Sequence, residues 1–284
     1  MNILFFKRHS IRFTLALFGG LIFVSCSNTP VTEPPVDEDG YVLIWQDEFD
    51  STQIDRKKWD FQFGTGTEYG LYAWGNNELQ FYTNRSENIY LENGYLVIEA
   101  RKEDFQGQSY TSARILTKGL ESWTYGKFEA SIKLPKTKGI WPAFWMLPEE
   151  NAYGGWPASG EIDIMELLGH IPQTAYGTVH FGNSVSDRNY ITGENTLQSG
   201  TFADDFHLFT VEWEADQIRW KIDGEQYHVV SKSQVSPYNW PFDQPFYLLL
   251  NVAVGGNWPG NPDQTTLFPQ RMAVDYVRVY KKAE

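Results

Sequence analysis

In the segment Glu161-Ile162-Asp163-Ile164-Met165-Glu166, three carboxyls are interleaved with apolar side chains. Residues two apart in an extended chain share a face. Glu161 and Asp163 therefore point one way, and Ile162 and Ile164 point to the interior. Strict alternation would bury Glu166, but one extra residue at Met165, a β-bulge, returns it to the face of the other two. Three acids on one surface are open to different chemistries. Two carboxyls in different protonation states can split a glycosidic bond, carboxylates two apart on a strand also suit Ca²⁺, and an acidic strand can simply face water. The first reading carries a geometric demand. A nucleophile and an acid/base carboxyl work about 5–5.5 Å apart, whereas four register steps span roughly 13 Å between Cα atoms. The two glutamate tips must then lean together over Asp163, as a concave, twisted sheet allows.

The rest of the chain supplies strands to position them. Phe128, Ala130, Ile132 and Leu134 alternate with Lys127, Glu129, Ser131 and Lys133. Ile218, Trp220 and Ile222 alternate up to Asp223-Gly224, a hairpin turn that leads into Tyr227 and Val229. Tyr247 to Val254 is a buried apolar strand ended by Gly255-Gly256. Ala273, Val277 and Val279 alternate with Val274, Tyr276 and Arg278. No 20–50-residue repeat and no long 3.6-residue period interrupts this pattern. Residues 41–284 are predicted to form one all-β domain, a sandwich or barrel.

Composition excludes some partners. The 284-residue chain has a formal net charge of −13, which argues against nucleic acid or anionic lipid and favours a neutral glycan over a sulfated one. Hydrophobic residues make up 42% of the chain, enough for a sizeable core rather than disorder. Eleven tryptophans and sixteen tyrosines fill a β core or offer faces on which sugar rings stack.

The N-terminus is expected to be an address. Lys7, Arg8 and Arg12 precede an apolar run from Phe13 to Ser25, too short to span a bilayer comfortably but sized for a signal peptide. Residues 1–25 are read as that signal. The single cysteine, Cys26, follows in Phe23-Val24-Ser25-Cys26-Ser27, which resembles a bacterial lipoprotein signal whose cysteine is lipidated, with Phe23 where a leucine is usual. Simple secretion with a nearby cleavage is the alternative. Residues 26–40, rich in proline and acids, read as the lipidated cysteine and a linker. The expected location is the bacterial outer membrane or cell surface, or else secreted or periplasmic.

A family resemblance joins these pieces. Gly160-Glu161-Ile162-Asp163-Ile164-Met165-Glu166 resembles the active-site strand of glycoside hydrolase family 16, in the longer form of its laminarinase-like branch. The resemblance runs through Trp45-Gln46-Asp47-Glu48-Phe49, Trp74-Gly75-Asn76-Asn77-Glu78, Ser112-Ala113-Arg114 and Trp141-Pro142-Ala143-Phe144-Trp145-Met146-Leu147-Pro148. It continues through Gly177-Thr178-Val179-His180-Phe181 and Asp275-Tyr276-Val277-Arg278-Val279-Tyr280. It implies a concanavalin-like jelly roll of two antiparallel sheets with a glycan cleft across the concave one. It also implies roles that spacing alone does not give: Glu161 as nucleophile, Glu166 as acid/base and Asp163 as the assisting acid. Arg114, Trp141, Trp145, Asn77, Trp156 and Trp258 are expected to contact sugar, with His180 near the acid/base. Read without the family, Arg114 would be a surface ion pair. No catalytic cofactor is implied. A structural Ca²⁺ is implied at Glu48, Gly94 and Asp275, held by main-chain carbonyls and one aspartate. The expected activity is endo-hydrolysis of β-1,3-glucan by a monomeric domain, with mixed-linkage β-1,3/1,4-glucan cut as well. The alternatives are an enzyme specific for mixed-linkage glucan and a non-catalytic surface glycan-binding protein.

Overall fold

The alternating segments do become strands. The computed structural model describes residues 35–283; Cys26, the signal segment and the start of the linker lie outside them. Seventeen strands follow one another. The first nine are β1 (Tyr41–Asp47), β2 (Asp60–Gln62), β3 (Gln80–Tyr82), β4 (Ile89–Glu92), β5 (Tyr95–Phe105), β6 (Gln108–Ser112), β7 (Arg114–Leu116), β8 (Gly126–Lys133) and β9 (Ile140–Pro148). Then come β10 (Glu161–Leu167), β11 (Thr174–Gly182), β12 (Arg188–Thr196), β13 (His207–Glu214), β14 (Gln217–Ile222), β15 (Glu225–Ser231), β16 (Phe246–Val254) and β17 (Gln270–Lys282). Described helix is confined to single turns, the one α-helical turn being Lys232–Val235.

Two sheets result. One runs β15-β14-β13-β8-β17-β5-β6-β3, with β1 and β4 added along β17 and β5; the other runs β12-β11-β10-β9-β16-β7-β2. Every pairing is antiparallel except β3 with β6, which is parallel. The sheets face each other across one core, to which β8 gives Phe128, Ala130 and Ile132 and β10 gives Ile162 and Ile164. This is the expected all-β sandwich, and it puts β10 inside the smaller sheet, flanked by β9 and β11. The first part of the polar face of β8, Lys127 and Glu129, is buried too. Lys127 reaches Asp37 at 2.5 Å, and Glu129 accepts from the Tyr280 hydroxyl at 2.7 Å. The Asp223-Gly224 turn forms as expected, with φ of 52° and 84° joining β14 to β15.

One strand departs from the sequence pattern. Alternation groups Ala273 with Val277 and Val279, but the register of β17 against β8 shifts between Val274 and Tyr276. The inward set is therefore Met272, Val274, Val277 and Val279, all buried. The residue at the shift is Asp275. A bulge exchanges faces along a strand, and nothing in the local apolar pattern announces it.

Residues 36–40, assigned by sequence to the linker, are tied to the sandwich. Val36 bridges Val42, Asp37 accepts the Tyr41 amide at 2.7 Å, and Lys282 donates to the Asp39 carbonyl. Asp37 also neutralises Lys127, whose ammonium lies over the rings of Tyr41 and Tyr280. A chain starting at Tyr41 should therefore be less stable than one starting at Pro35 by at least about 1–2 kcal/mol, since a buried lysine loses its partner. Urea denaturation of the two purified proteins reads this directly, and coincident midpoints would mean that the segment contributes nothing.

Candidate active site

The bulge in β10 is the first element of the site. Against β11, Asp163 pairs with Thr178 and Glu166 with Tyr176, so Ile164 and Met165 together oppose the single residue Gly177. Against β9 the register slips between Asp163 and Met165. Both Ile164 and Met165 are buried in the core, and Glu161, Asp163 and Glu166 are left on the opposite face. The sequence expectation of a bulge there is met.

The three carboxyls have different surroundings. Asp163 is 2% exposed and Glu166 8%, while Glu161 retains 17% of its side-chain exposure. Trp156 donates its indole N–H to Glu161 Oε2 at 2.9 Å, and Trp141 donates to Glu166 Oε1 at 3.0 Å. His180, the register partner of Glu161 on β11, holds Nε2 3.7 Å from Glu161 Oε1 and 3.2 Å from Asp163 Oδ2. The latter approach is off the line that a hydrogen bond needs, so Asp163 Oδ2 is buried without a hydrogen-bond partner. His180 thus faces Glu161 and Asp163 directly, and Glu166 feels it as well.

Burial raises the proton affinity of all three acids. Loss of water pushes Glu161 up to about 8, and the Asp163 charge adds to this, while His180, the Trp156 N–H and Arg114 pull it back. Asp163 is raised by burial, with a hydrogen bond from the Glu161 carboxyl working against it. Glu166 is pushed well above the carboxylate range by burial first and by the Asp163 charge next, with the Glu161 charge adding and His180 and the Trp141 N–H pulling it back. Its one direct donor is the Trp141 indole. The site therefore holds protons more firmly than free carboxyls do.

Aromatic rings wall both ends of this acid row. Beside Glu161, His180 lies 5.9 Å from both the Trp156 and the Tyr190 rings. Beside Glu166, Trp258 packs edge-on against Trp141 at 5.6 Å and Tyr176 at 5.1 Å. Trp145 turns to the neighbouring strand, donating to Asn251 Oδ1 at 2.7 Å. Arg114 is no surface ion pair. It is buried between the Trp74 and Trp145 rings, its guanidinium carbon 4.7 Å from each centroid, with Nε lacking a hydrogen-bond partner. Asn77 donates to Asn257 at 2.8 Å, and both line a cavity of about 520 Å³ with Glu78, Gln108 and Tyr72. Of the expected site residues, the described geometry brings Glu161, Asp163, Glu166, Trp141, Trp156, His180 and Trp258 into one chain of contacts. Arg114 and Trp145 form a second group, linked to the first by the Arg114 charge felt at Glu161. Sequence reasoning missed Trp74, Tyr176, Tyr190 and Asn251. Tyr176 lies on β11 beside the acid strand, and Tyr190 and Asn251 lie one strand further out on β12 and β16, a signal usable only once strand order is known.

Glu48, Gly94 and Asp275 are also brought together, by pairing alone. Asp47 at the end of β1 pairs with Val277, and Val274 pairs with Leu96 two residues beyond Gly94. The Glu48 carboxylate is occupied by Arg278 at 2.8 Å.

A two-sheet sandwich with three clustered acids between aromatic walls on its outer face is the architecture of an enzyme that cleaves polysaccharides. The model of glycosyl hydrolases family 16 matches residues 73–278, and the chain belongs to that family. It is 43% identical over 255 residues to a beta-glucanase of Rhodothermus marinus, a match covering 85% of this chain and 86% of that protein. The laminarinase catalytic domain of Thermotoga maritima superposes with a TM-score of 0.80 at 49% identity, over 86% of this chain and 99% of that one. The endo-β-1,3-glucanase of Pyrococcus furiosus does so with a TM-score of 0.79 at 51% identity, over 85% and 94%.

Raised proton affinity has a cost in stability. A carboxyl whose folded-state pKa exceeds its unfolded value, about 4.3 for glutamate, stabilises the fold below that value and withdraws the contribution as pH rises to the folded one. For Glu161 that window ends near 8. Glu161→Gln removes the group, so the variant should melt several degrees higher than the parent at pH 7, with the gap closing below about pH 4. Differential scanning calorimetry across pH tests this, and a variant less stable at pH 7 would contradict the burial of the acid.

Proposed function

We propose that the protein is an endo-acting, retaining β-glucanase that hydrolyses β-1,3-glucan and also accepts mixed-linkage β-1,3/1,4-glucan. The observation that carries the mechanism is the graded environment of the three acids. Glu161 has the indole of Trp156, His180 and the more distant Arg114 to favour its anion, and it acts as nucleophile. Glu166, dry and surrounded by acids, enters the cycle protonated. Glu161 attacks the anomeric carbon while Glu166 gives its proton to the departing oxygen, leaving a glycosyl ester on Glu161. Glu166, now the base, takes a proton from water as that water displaces Glu161, and the starting protonation returns. Asp163, beside Glu161, keeps the total charge low by holding a proton, since three adjacent carboxyls do not all ionise.

The substrate class follows from the walls and the relatives. Exposed Trp156 and Trp258 offer faces for uncharged rings, and the relatives described above are β-glucanases and laminarinases. A binding-only protein of this fold has no need for three buried acids, which lower stability at neutral pH. An enzyme specific for mixed-linkage glucan would use the same acids, so it is the second reading.

Two further assignments belong to this reading. Cys26 anchors the protein by lipid to the bacterial outer membrane or cell surface. A structural Ca²⁺ is held by the main-chain carbonyls of Glu48 and Gly94 and the carboxylate of Asp275. In support, Asp275 stands at a strand bulge, half-buried, its carboxylate in no side-chain hydrogen bond or ion pair among the described residues. Oxygen donors of this kind suit Ca²⁺, which would tie the first strand to the last and supply no chemistry to the reaction.

Product analysis on laminarin, barley mixed-linkage glucan, agarose and κ-carrageenan tests the function. Oligosaccharides from laminarin, with barley glucan cut equally or more slowly, are expected. Release from agarose or carrageenan alone would overturn the substrate. Glu161→Gln should lose all but a trace of turnover, by 10³-fold or more, while still binding laminarin. Ordinary activity in that variant would remove Glu161 from the role of nucleophile. For the metal, chelator should lower the melting temperature, Ca²⁺ should restore it, and Asp275→Asn should be insensitive to both. An unchanged melting curve after chelation would dismiss the site.

A further inference from the structure

Two glycines facing each other across β11 and β12, Gly177 and Gly193, are not required by backbone conformation: neither lies in the left-handed region, and both sit within regular strands. What they supply is space. A Cβ on Gly177 would come 2.4 Å from Trp220 Cδ1, 2.7 Å from Trp220 Nε1 and 2.5 Å from the Tyr227 hydroxyl. A Cβ on Gly193 would come 2.2 Å from His228 Cγ. The pair makes a notch in the inner side of the smaller sheet, and side chains of β14 and β15 from the other sheet fill it.

The place of the notch is informative. Gly177 is the single residue of β11 that opposes the β10 bulge. Through the notch, fully buried Trp220 donates its indole N–H to the carbonyl of Asp163 at 2.8 Å. Asp163 is the last residue in register before the bulge, and its side chain lies between the two glutamates. Trp220 touches none of the three carboxyls, and its contact is to backbone. The Tyr227 hydroxyl in the same notch is buried without a hydrogen-bond partner and lies close enough to Glu166 to feel its charge.

We propose that Trp220, seated in the Gly177–Gly193 notch, is a positioning residue that fixes the bulged backbone from behind and so sets where Glu166 stands relative to Glu161. A bulge is the point in a strand where the ladder is broken and the backbone has most freedom. The distance between nucleophile and acid/base is set across that point, and a displacement of about 1 Å in such a constellation costs on the order of 10²-fold in rate. A donor from the opposite sheet, given room by the missing Cβ of Gly177 and backed by His228, which fills the space at Gly193, removes that freedom. The proposal rests on the roles given above to Glu161 and Glu166.

The test separates proton delivery from the rest. Trp220→Phe keeps a ring in the notch and removes the donor. Turnover of laminarin, whose leaving group needs a proton, should fall at least tenfold with KM within twofold of the parent. Formation of the glycosyl-enzyme from 2,4-dinitrophenyl β-laminaribioside, whose leaving group departs without one, should fall less than threefold. Gly177→Ala should show the same selective loss, by pushing Trp220 away, and the double variant should be no worse than the more impaired single one. Equal losses on both substrates, or a lowered melting temperature with normal kinetics, would overturn the proposal and leave Trp220 a core residue. Should Trp220→Phe fail to fold, Gly177→Ala decides by the same pair of substrates. A parent protein that cuts neither substrate would refute the glucanase reading instead, an outcome distinct from all of these.

Discussion

The structure turns on one extra residue in one strand. Without the bulge in β10, Glu161 and Asp163 would face the cleft and Glu166 the core, where no partner for a carboxyl exists among Ile162, Ile164 and their apolar neighbours. With it, Ile164 and Met165 both go inward opposite Gly177, and Glu166 joins the other acids. The surrounding architecture accommodates that irregularity. β9 and β11 flank the strand on both sides, so the bulge is held within a sheet rather than at its edge. An edge would have been the easier place to tolerate a broken ladder. A central one needs support from behind, and the notch beneath Gly177 gives access for it.

The tryptophans show how one residue type serves two needs. Trp59, Trp213 and Trp220 are fully buried, and each sends its indole N–H to an acceptor across the fold: Asp47, the Phe242 carbonyl and the Asp163 carbonyl. Trp141, Trp145 and Trp156 keep part of their surface in the cleft and direct the same N–H to Glu166, Asn251 and Glu161. A large apolar body with one donor suits a site that must exclude water, present a flat face and still satisfy a carboxylate. Phenylalanine would supply only the face.

Legibility of the sequence followed the range of the interaction. The β10 bulge could be read because three acids and three apolar residues within six positions leave few ways to fold. The β8 alternation and the Asp223-Gly224 turn are equally local. The β17 bulge at Asp275 was not readable, because Val274, Val277 and Val279 look alike on either face and only pairing with β8 decides among them. Arg114 was open to two readings because its setting joins Trp74 and Trp145, separated by most of the first half of the domain. Tyr176, Tyr190 and Asn251 enter the site only through strand order. Residues 36–40 look like linker by composition, yet Asp37 is tied to a lysine 90 positions away.

The order of protonation was the least legible feature, since Glu161 and Glu166 are the same residue type on the same strand. Their difference comes from what each end of the row is given. Glu161 lies across from His180, beside an indole donor and within reach of the Arg114 field, with some exposure to water. Glu166 has an indole donor and feels His180 as well, but it faces the charges of both other acids and has no share in the Arg114 field that reaches Glu161. Each donor at the Glu161 end widens the gap between the two acids, against a burial that raises both. The gap itself makes attack and proton delivery possible from two identical side chains. It also explains why the acids are placed in a dry position that weakens the fold: in water both would ionise together, and the one needed as a proton donor would have no proton to give.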